Sequence, residues 1–348
     1  MEMPQHGPGH VHVIGEVGGI DRLEPLDAYQ GQVVDLVRAS LAAGVDALDV
    51  SRALADANDS LTRRLLGLAE AHLGPPPCRY VWLALGSHGR REQVLSSDQD
   101  SAIAYETVRP HEEPAAHDYF TALAELVVAA LARAGLPLCD GGYMATNWCR
   151  PLDEFGRLFR GWIDQPQPDA LLKAEVFLDV RACHGDLMPD ALDRILLAGG
   201  ARGPFRVQMA RAAVTFRPPH GWFGRLRTRD SKLDVKRGGT AAIVLLARLY
   251  ALIARSTEHS TVLRLQAASA AGTLSSSSAA DLIEAYRFLT DLRLRRQVEQ
   301  VGEGLPVDNR IYPDRLTSEQ RTTLRATMRT VQEIQEVTAG HFATYTVT

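Results

Sequence analysis

Cysteine is scarce: Cys78, Cys139, Cys149 and Cys183 are the only four in 348 residues, and no two form a C-x-x-C pair. That spacing excludes a disulfide-rich framework and a paired-cysteine zinc site, and it fits a reducing compartment, so a cytoplasmic protein is expected. Positive charge is not in surplus either. With 38 Lys and Arg against 42 Asp and Glu, the formal net charge is −4, which gives no general attraction to a phosphate backbone and argues against nucleic acid as a partner. No apolar run approaches bilayer length, and the N-terminus lacks a basic segment followed by an apolar core; neither membrane span nor secretion signal is expected. Internal repeats and long linkers are missing too. Hydrophobic residues, by contrast, make up 45%, enough to bury a sizeable core in two domains or one large one.

The chemistry concentrates in VWLALGSHGRREQVLSSDQDSAIAYE, Val81 to Glu106. Tyr80 to Leu85 read as a buried strand ending at Gly86. Gly86 and Gly89 allow a sharp turn whose N–H groups can approach a ligand closely. Ten residues separate Ser87 from Asp98, and Asp98 and Asp100 open a second strand. Residues two apart in a strand share a face, so both carboxylates aim at one point while Gln99 faces away. Two convergent carboxylates repel unless a cation lies between them. Hard oxygen ligands beside a phosphate-cradling turn suit Mg²⁺, with Mn²⁺ as the alternative.

The flanking segments are mostly helical in pattern. Met1 to Gly19, with His6, His10 and His12, reads as a flexible lead-in rather than a metal chelator. Apolar spacing predicts one helix over Leu26 to Leu48 and another carrying Leu61, Leu65, Leu68 and Leu73, capped by Asp59 or Ser60 and stopped by Gly74 and Pro75 to Pro77. Pro114 to Gly135 predicts a third, followed by a strand at Leu136 to Asp140. Asp140 is then a candidate third carboxylate, with Asp179 and Asp169 as alternatives; an Asp before Gly141 and Gly142 is also ordinary turn chemistry. Trp148 or Tyr143 could stack on a base or be plain core aromatics. Asp179 and Arg181 could form an internal ion pair. Ala241 to Ala254, Ala279 to Val301 and Ser318 to Phe342 predict further helices, the last with a Thr317 and Gln320 capping box.

The run GSHGRREQVLSSDQDSAI resembles the signature of polymerase-β-like nucleotidyltransferases, and in its fuller form a family in bacterial signalling proteins often joined to CBS and cyclic-nucleotide-binding domains. That family is related to PII uridylyltransferase and glutamine synthetase adenylyltransferase. Gly141 to Phe155, Leu171 to Asp186, Pro218 to Phe223 and KLDVKRGG at Lys232 to Gly239 extend the resemblance; Trp148 replaces the usual proline. It implies an α/β (α+β) nucleotidyltransferase domain followed by an all-α helical bundle that binds substrate. The expected parts are a flexible segment 1–20, a domain 21–167 that includes the leading helices, and a helical domain 168–348. The expected metal ligands are Asp98, Asp100 and Asp140, although in the family resembled the position of Asp140 is often not acidic, and the expected nucleotide contacts come from Gly86, Ser87, Arg90, Gln93, Ser97, Lys232 and Lys236. The expected partners are a nucleoside triphosphate, an acceptor hydroxyl on a protein or small molecule, and a separate sensor chain. A nucleotide-sensing module without turnover is the competing expectation.

Overall fold

A computed structural model describes residues 26–166, 175–218 and 231–342, together with Val17, Gly19 and Thr344. The segment bearing His6, His10 and His12, the candidate Asp169, and Pro219 to Phe223 lie outside the described residues. The chain forms two compact units, Met1–Phe159 with Glu175–Leu192, and Arg160–Ala174 with Asp193–Thr348.

In the first unit, α1 (Asp27–Ala42) leads through a short turn at Gly44 into α2 (Ala47–Leu73). This second helix starts well before the predicted cap. Asp46 caps it by accepting the Leu48 N–H at 2.9 Å, because Val50, Leu54 and Ala57 already carry the buried stripe that Leu61 and Leu65 continue. Asp59 is therefore not a cap: it lies buried in mid-helix. Ser60 bonds back to the Asp56 carbonyl at 2.9 Å. Gly74 ends the helix with φ 89°, a conformation open to glycine.

The sheet has the order β3-β2-β1-β4. Strands β1 (Tyr80–Ala84) and β2 (Ser101–Tyr105) pair antiparallel, with Leu83 opposite Ala102 and Ala84 opposite Ser101. All five residues of each are buried, so both faces of the central pair are covered. β4 (Arg181–Gly185) runs antiparallel to β1, and β3 (Cys149–Pro151) parallel to β2. The strand predicted at Leu136 to Asp140 shrinks to one parallel bridge, Leu138 to Gln99. Pro137 cannot donate to a ladder, and its carbonyl instead accepts the Gln99 N–H at 2.9 Å.

Between β2 and β3 runs α3 (Glu113–Arg133). Contrary to the sequence reading, it is long and apolar enough to pass for a bilayer span by composition. Its apolar side, including Phe120, Leu123, Val127 and Leu131, is buried within this unit. After β3 comes α4 (Leu152–Asp164), and after β4 comes α5 (Asp190–Gly199).

The second unit is helical, with α6 (Gly203–Thr215), α7 (Ala241–Ile253), α8 (Thr261–Ala270), α9 (Ser276–Gly302) and α10 (Ser318–His341). Residues Ala242 to Leu252 are buried without interruption, so α7 is wrapped on all sides. The predicted capping box of α10 is present in full. The region is not helix alone: β5 (Leu233–Asp234) pairs antiparallel with β6 (Arg310–Ile311), and a π-helical turn, Lys236–Thr240, leads from β5 into α7.

The start of α2 can be tested by substitution. Asp46→Ala is expected to cost about 1 kcal/mol in urea unfolding, whereas Ser60→Ala changes stability by less than about 0.5 kcal/mol; the reverse ranking would move the cap to Ser60.

Candidate active site

The end of β1 is tied directly to the acidic pair, for the Leu85 N–H donates to the Asp100 carbonyl at 3.0 Å. The chain then makes a single helical turn, Gly86–Gly89. Gly86 has φ 53°, and a Cβ placed there would lie 2.6 Å from Asp100 Oδ2. Only a residue without a side chain lets that carboxylate lie against the turn. Gly89 is equally constrained: its Cβ would run into the backbone carbonyl of Asp179.

Asp98 and Asp100 converge, and Gln99 departs in the opposite sense as the period of two requires. The Gln99 side chain is buried, and its Nε2 donates to the Leu136 carbonyl at 2.9 Å and the Val128 carbonyl at 3.3 Å, fixing it to the end of α3. The third side chain that joins Asp98 and Asp100, with ligand atoms all within 4.8 Å of one another, is Cys139. Asp140 is exposed and stands outside that group. The reason is again the alternation: Leu138 pairs with Gln99, so Cys139 follows beside Asp100 and the next side chain turns away. Burial, followed by the charges of Asp100 and Asp98, pushes the Cys139 thiol up to about 12. Two carboxylates with water completing the shell fit Mg²⁺ or Mn²⁺.

Several residues expected to touch nucleotide are used as supports. Arg90 pairs with Glu92 at 2.7 Å and with the fully buried Asp179, leaving its side chain only 12% exposed. The Gln93 amide accepts from Asn58 Nδ2 at 3.0 Å, and its carbonyl accepts from Ser51 Oγ, which places it behind the loop. Ser97 Oγ accepts the Val94 N–H at 2.9 Å and lies 3.5 Å from Ser87 Oγ. Asp179 and Arg181 do not pair with each other as considered from sequence. Each reaches across to another element, Asp179 to Arg90 and Arg181 to Asp59 at 2.9 Å.

Sequence reasoning missed the centre of this support. Asp59 Oδ1 meets His88 Nε2 at 2.7 Å as well as Arg181, with Cys183 Sγ at 3.4 Å. Arg181 also donates to the carbonyls of Gly89 and His88, both at 3.2 Å, so β4 grips the glycine turn by its backbone. Burial alone would raise the Asp59 pKa. Hydrogen bonds and charge from His88 and then Arg181 outweigh it and hold the carboxyl below the ordinary range. The available signal was an acidic residue on the apolar stripe of α2, four positions before Arg63.

The aromatics near the site pack on one another. Trp148 lies 4.4 Å from Phe177 and 6.3 Å from Tyr143, Arg150 covers its ring at 5.1 Å, and its indole N–H donates to the Gly142 carbonyl at 3.1 Å. In the second unit Lys236 is exposed, while Lys232 sits 5.4 Å over the Tyr312 ring. The paired glycines there serve packing: Gly238 and Gly239 are buried, and a Cβ on Gly239 would lie 2.8 Å from Leu289.

At this strand end a glycine turn leaves room for one of two convergent carboxylates. Residues 31–169 match the family described as "Putative nucleotidyltransferase DUF294", and residues 203–342 match "Putative nucleotidyltransferase substrate binding domain". The chain belongs to this nucleotidyltransferase family and carries its substrate-binding domain. No curated protein matches it.

Asp59→Asn tests the support network. It removes one partner from a buried cluster and is expected to cost about 3 kcal/mol at neutral pH. A carboxyl whose pKa is depressed by folding adds stability above its unfolded value, about 4, and loses it as pH falls through the lower folded value. The difference between variant and wild type in urea unfolding should therefore narrow in acid. A gap that stays constant with pH would show that Asp59 is not held ionised.

Proposed function

We propose that the chain transfers a nucleoside monophosphate from a nucleoside triphosphate to a hydroxyl acceptor and releases pyrophosphate. The observation that carries this reading is the convergence of Asp98 and Asp100 at the turn where Gly86 leaves room for the Asp100 carboxylate. The fold expected with it is the polymerase-β-like arrangement. Asp98 and Asp100 would hold Mg²⁺, or Mn²⁺, and a bound ion would neutralise triphosphate charge and lower the acceptor's pKa. The Gly86 and Ser87 backbone, at the start of a helical turn whose first N–H groups have no partner within the turn, faces the phosphates. Ser87 and Ser97 hydroxyls lie beside it. Arg90 and Gln93 shape this turn from behind, through Asp179 and Asn58.

In the transfer step the acceptor oxygen bonds to the α-phosphorus as the bond from that phosphorus to the bridging oxygen of the β-phosphate breaks. The acceptor's proton passes to solvent and pyrophosphate leaves. Catalysis rests on positioning and charge neutralisation. A protein acceptor is favoured over a polynucleotide because the net charge is −4, which offers no basic surface surplus; a small-molecule hydroxyl is the alternative. Lys232 and Lys236 of the helical unit would contribute charge toward substrate. A second reading, a nucleotide sensor without turnover, draws support from Cys139, which stands where a third carboxylate would complete the acidic set.

Pyrophosphate release measured with each of the four triphosphates, with and without candidate acceptors, separates the two readings. Asp98→Asn and Asp100→Asn are each expected to reduce metal-dependent triphosphate binding and turnover to background while the fold persists, since removing one like charge relieves repulsion. Ser87→Ala should weaken triphosphate binding by about 1 kcal/mol, and Gly86→Val should abolish it. Unchanged Mg²⁺ affinity in both Asp variants would sink the assignment.

A further inference from the structure

Cys139 belongs to the Asp98 and Asp100 group by geometry, yet phosphoryl transfer through two carboxylates gives it no task. Its sulfur and one oxygen from each carboxylate lie within 4.8 Å of one another. A single cation can bridge three atoms at that separation after small side-chain rotations. The position is built rather than incidental: the parallel bridge between Leu138 and Gln99 sets Cys139 beside Asp100, and Cys139 is 8% exposed. Gln99, anchored on α3 through the Val128 carbonyl and on the segment after it through the Leu136 carbonyl, keeps that bridge in register. Two carboxylates and a thiolate make a mixed donor set. Mg²⁺ prefers hard oxygen ligands, whereas Zn²⁺ and Co²⁺ accept sulfur and oxygen together. Three protein ligands with an open position is also the ligand number of catalytic zinc sites.

We propose that Cys139, as its thiolate, is the third protein ligand at this site, so that thiophilic divalent cations such as Zn²⁺ and Co²⁺ bind through Asp98, Asp100 and Cys139 while Mg²⁺ binds through the two carboxylates alone. The proposal rests on the reading that Asp98 and Asp100 bind a divalent ion. On binding, the S–H bond breaks, its proton goes to solvent, and a sulfur–metal bond takes its place with no change in oxidation state. The site thereby distinguishes cations by a ligand that the transfer reaction does not require.

The test is a Co²⁺ titration of the full chain followed by absorbance, with bound Co²⁺ counted by equilibrium dialysis. Wild type should develop a thiolate-to-cobalt charge-transfer band in the near ultraviolet that saturates with the bound ion. Nitrogen ligands do not produce that band, so histidines near the N-terminus cannot imitate it. Cys139→Ser should lose the band and bind Zn²⁺ about tenfold or more weakly, with Mg²⁺ affinity changed by less than about twofold. Cys183→Ser, which alters the other cysteine-containing cluster among the described residues, Asp59, His88 and Cys183, should keep it. Bound Co²⁺ with no band in wild type would overturn the proposal without any variant, as would a band lost in Cys183→Ser and kept in Cys139→Ser. If Asp98→Asn and Asp100→Asn leave Co²⁺ and Mg²⁺ affinity unchanged, the metal reading of the pair falls too. If they weaken both but wild type shows no band, only the role of Cys139 falls.

Discussion

The arrangement of the site depends on two ion pairs that cross between elements, Arg90 with Asp179 and Arg181 with Asp59. Asp179 and Arg181 are two residues apart and reach opposite anchors. Asp179 holds the arginine just after the glycine turn, and Arg181 reaches past that turn to α2, donating on the way to the His88 and Gly89 carbonyls. Both carboxylates are buried, at 0% and 2% exposure. A buried pair contributes little net stability once desolvation is counted, but leaving one partner alone is costly. Its effect here is to restrict geometry: a slip of the turn would strand a buried charge.

That restriction matters because the turn has almost no freedom elsewhere. Gly86 already lies against the Asp100 carboxylate, and Gly89 against the Asp179 carbonyl. The two glycines are needed for opposite reasons, one to leave room for a functional oxygen and the other to let two backbones touch. Polar groups behind the turn, His88 on Asp59 and Gln93 on Asn58, are satisfied by α2. A support of this kind holds two carboxylates together although their charges repel.

How much was legible in the sequence follows from the range of each interaction. The Asp98, Gln99, Asp100 split depends only on strand alternation, a local property, and it could be read directly. The α10 capping box spans three residues and was equally visible. Asp59 has the local appearance of a cap, an acidic residue before a leucine-rich run; Arg63, four positions on, is a local partner, but His88 and Arg181 lie 29 and 122 positions away. The Asp179 and Arg181 pairing failed likewise, since neighbours in sequence suggested a contact that long-range partners had taken. Asp140 was displaced by a single residue: the parallel bridge at Leu138 decides which side chain meets Asp100, and a bridge of one residue leaves no periodic trace.

The KLDVKRGG run shows the same logic acting on binding chemistry. From sequence, two glycines beside two lysines suggested a backbone cradle for phosphate. In the structure Asp234 Oδ1 accepts the N–H groups of Lys236 and Arg237 at 2.9 and 3.0 Å, and both glycines are buried, Gly239 against Leu289. The donors a cradle would use are thus partly consumed by a carboxylate of the chain itself. What this segment offers outward is the charge of Lys236 and Arg237, both exposed, and exposed charge is screened by salt over about 8 Å under physiological conditions. Recognition there would draw on electrostatic attraction more than on fixed hydrogen-bond geometry. The stringent geometry of this chain lies at the Gly86 turn, where buried charge holds the backbone in place.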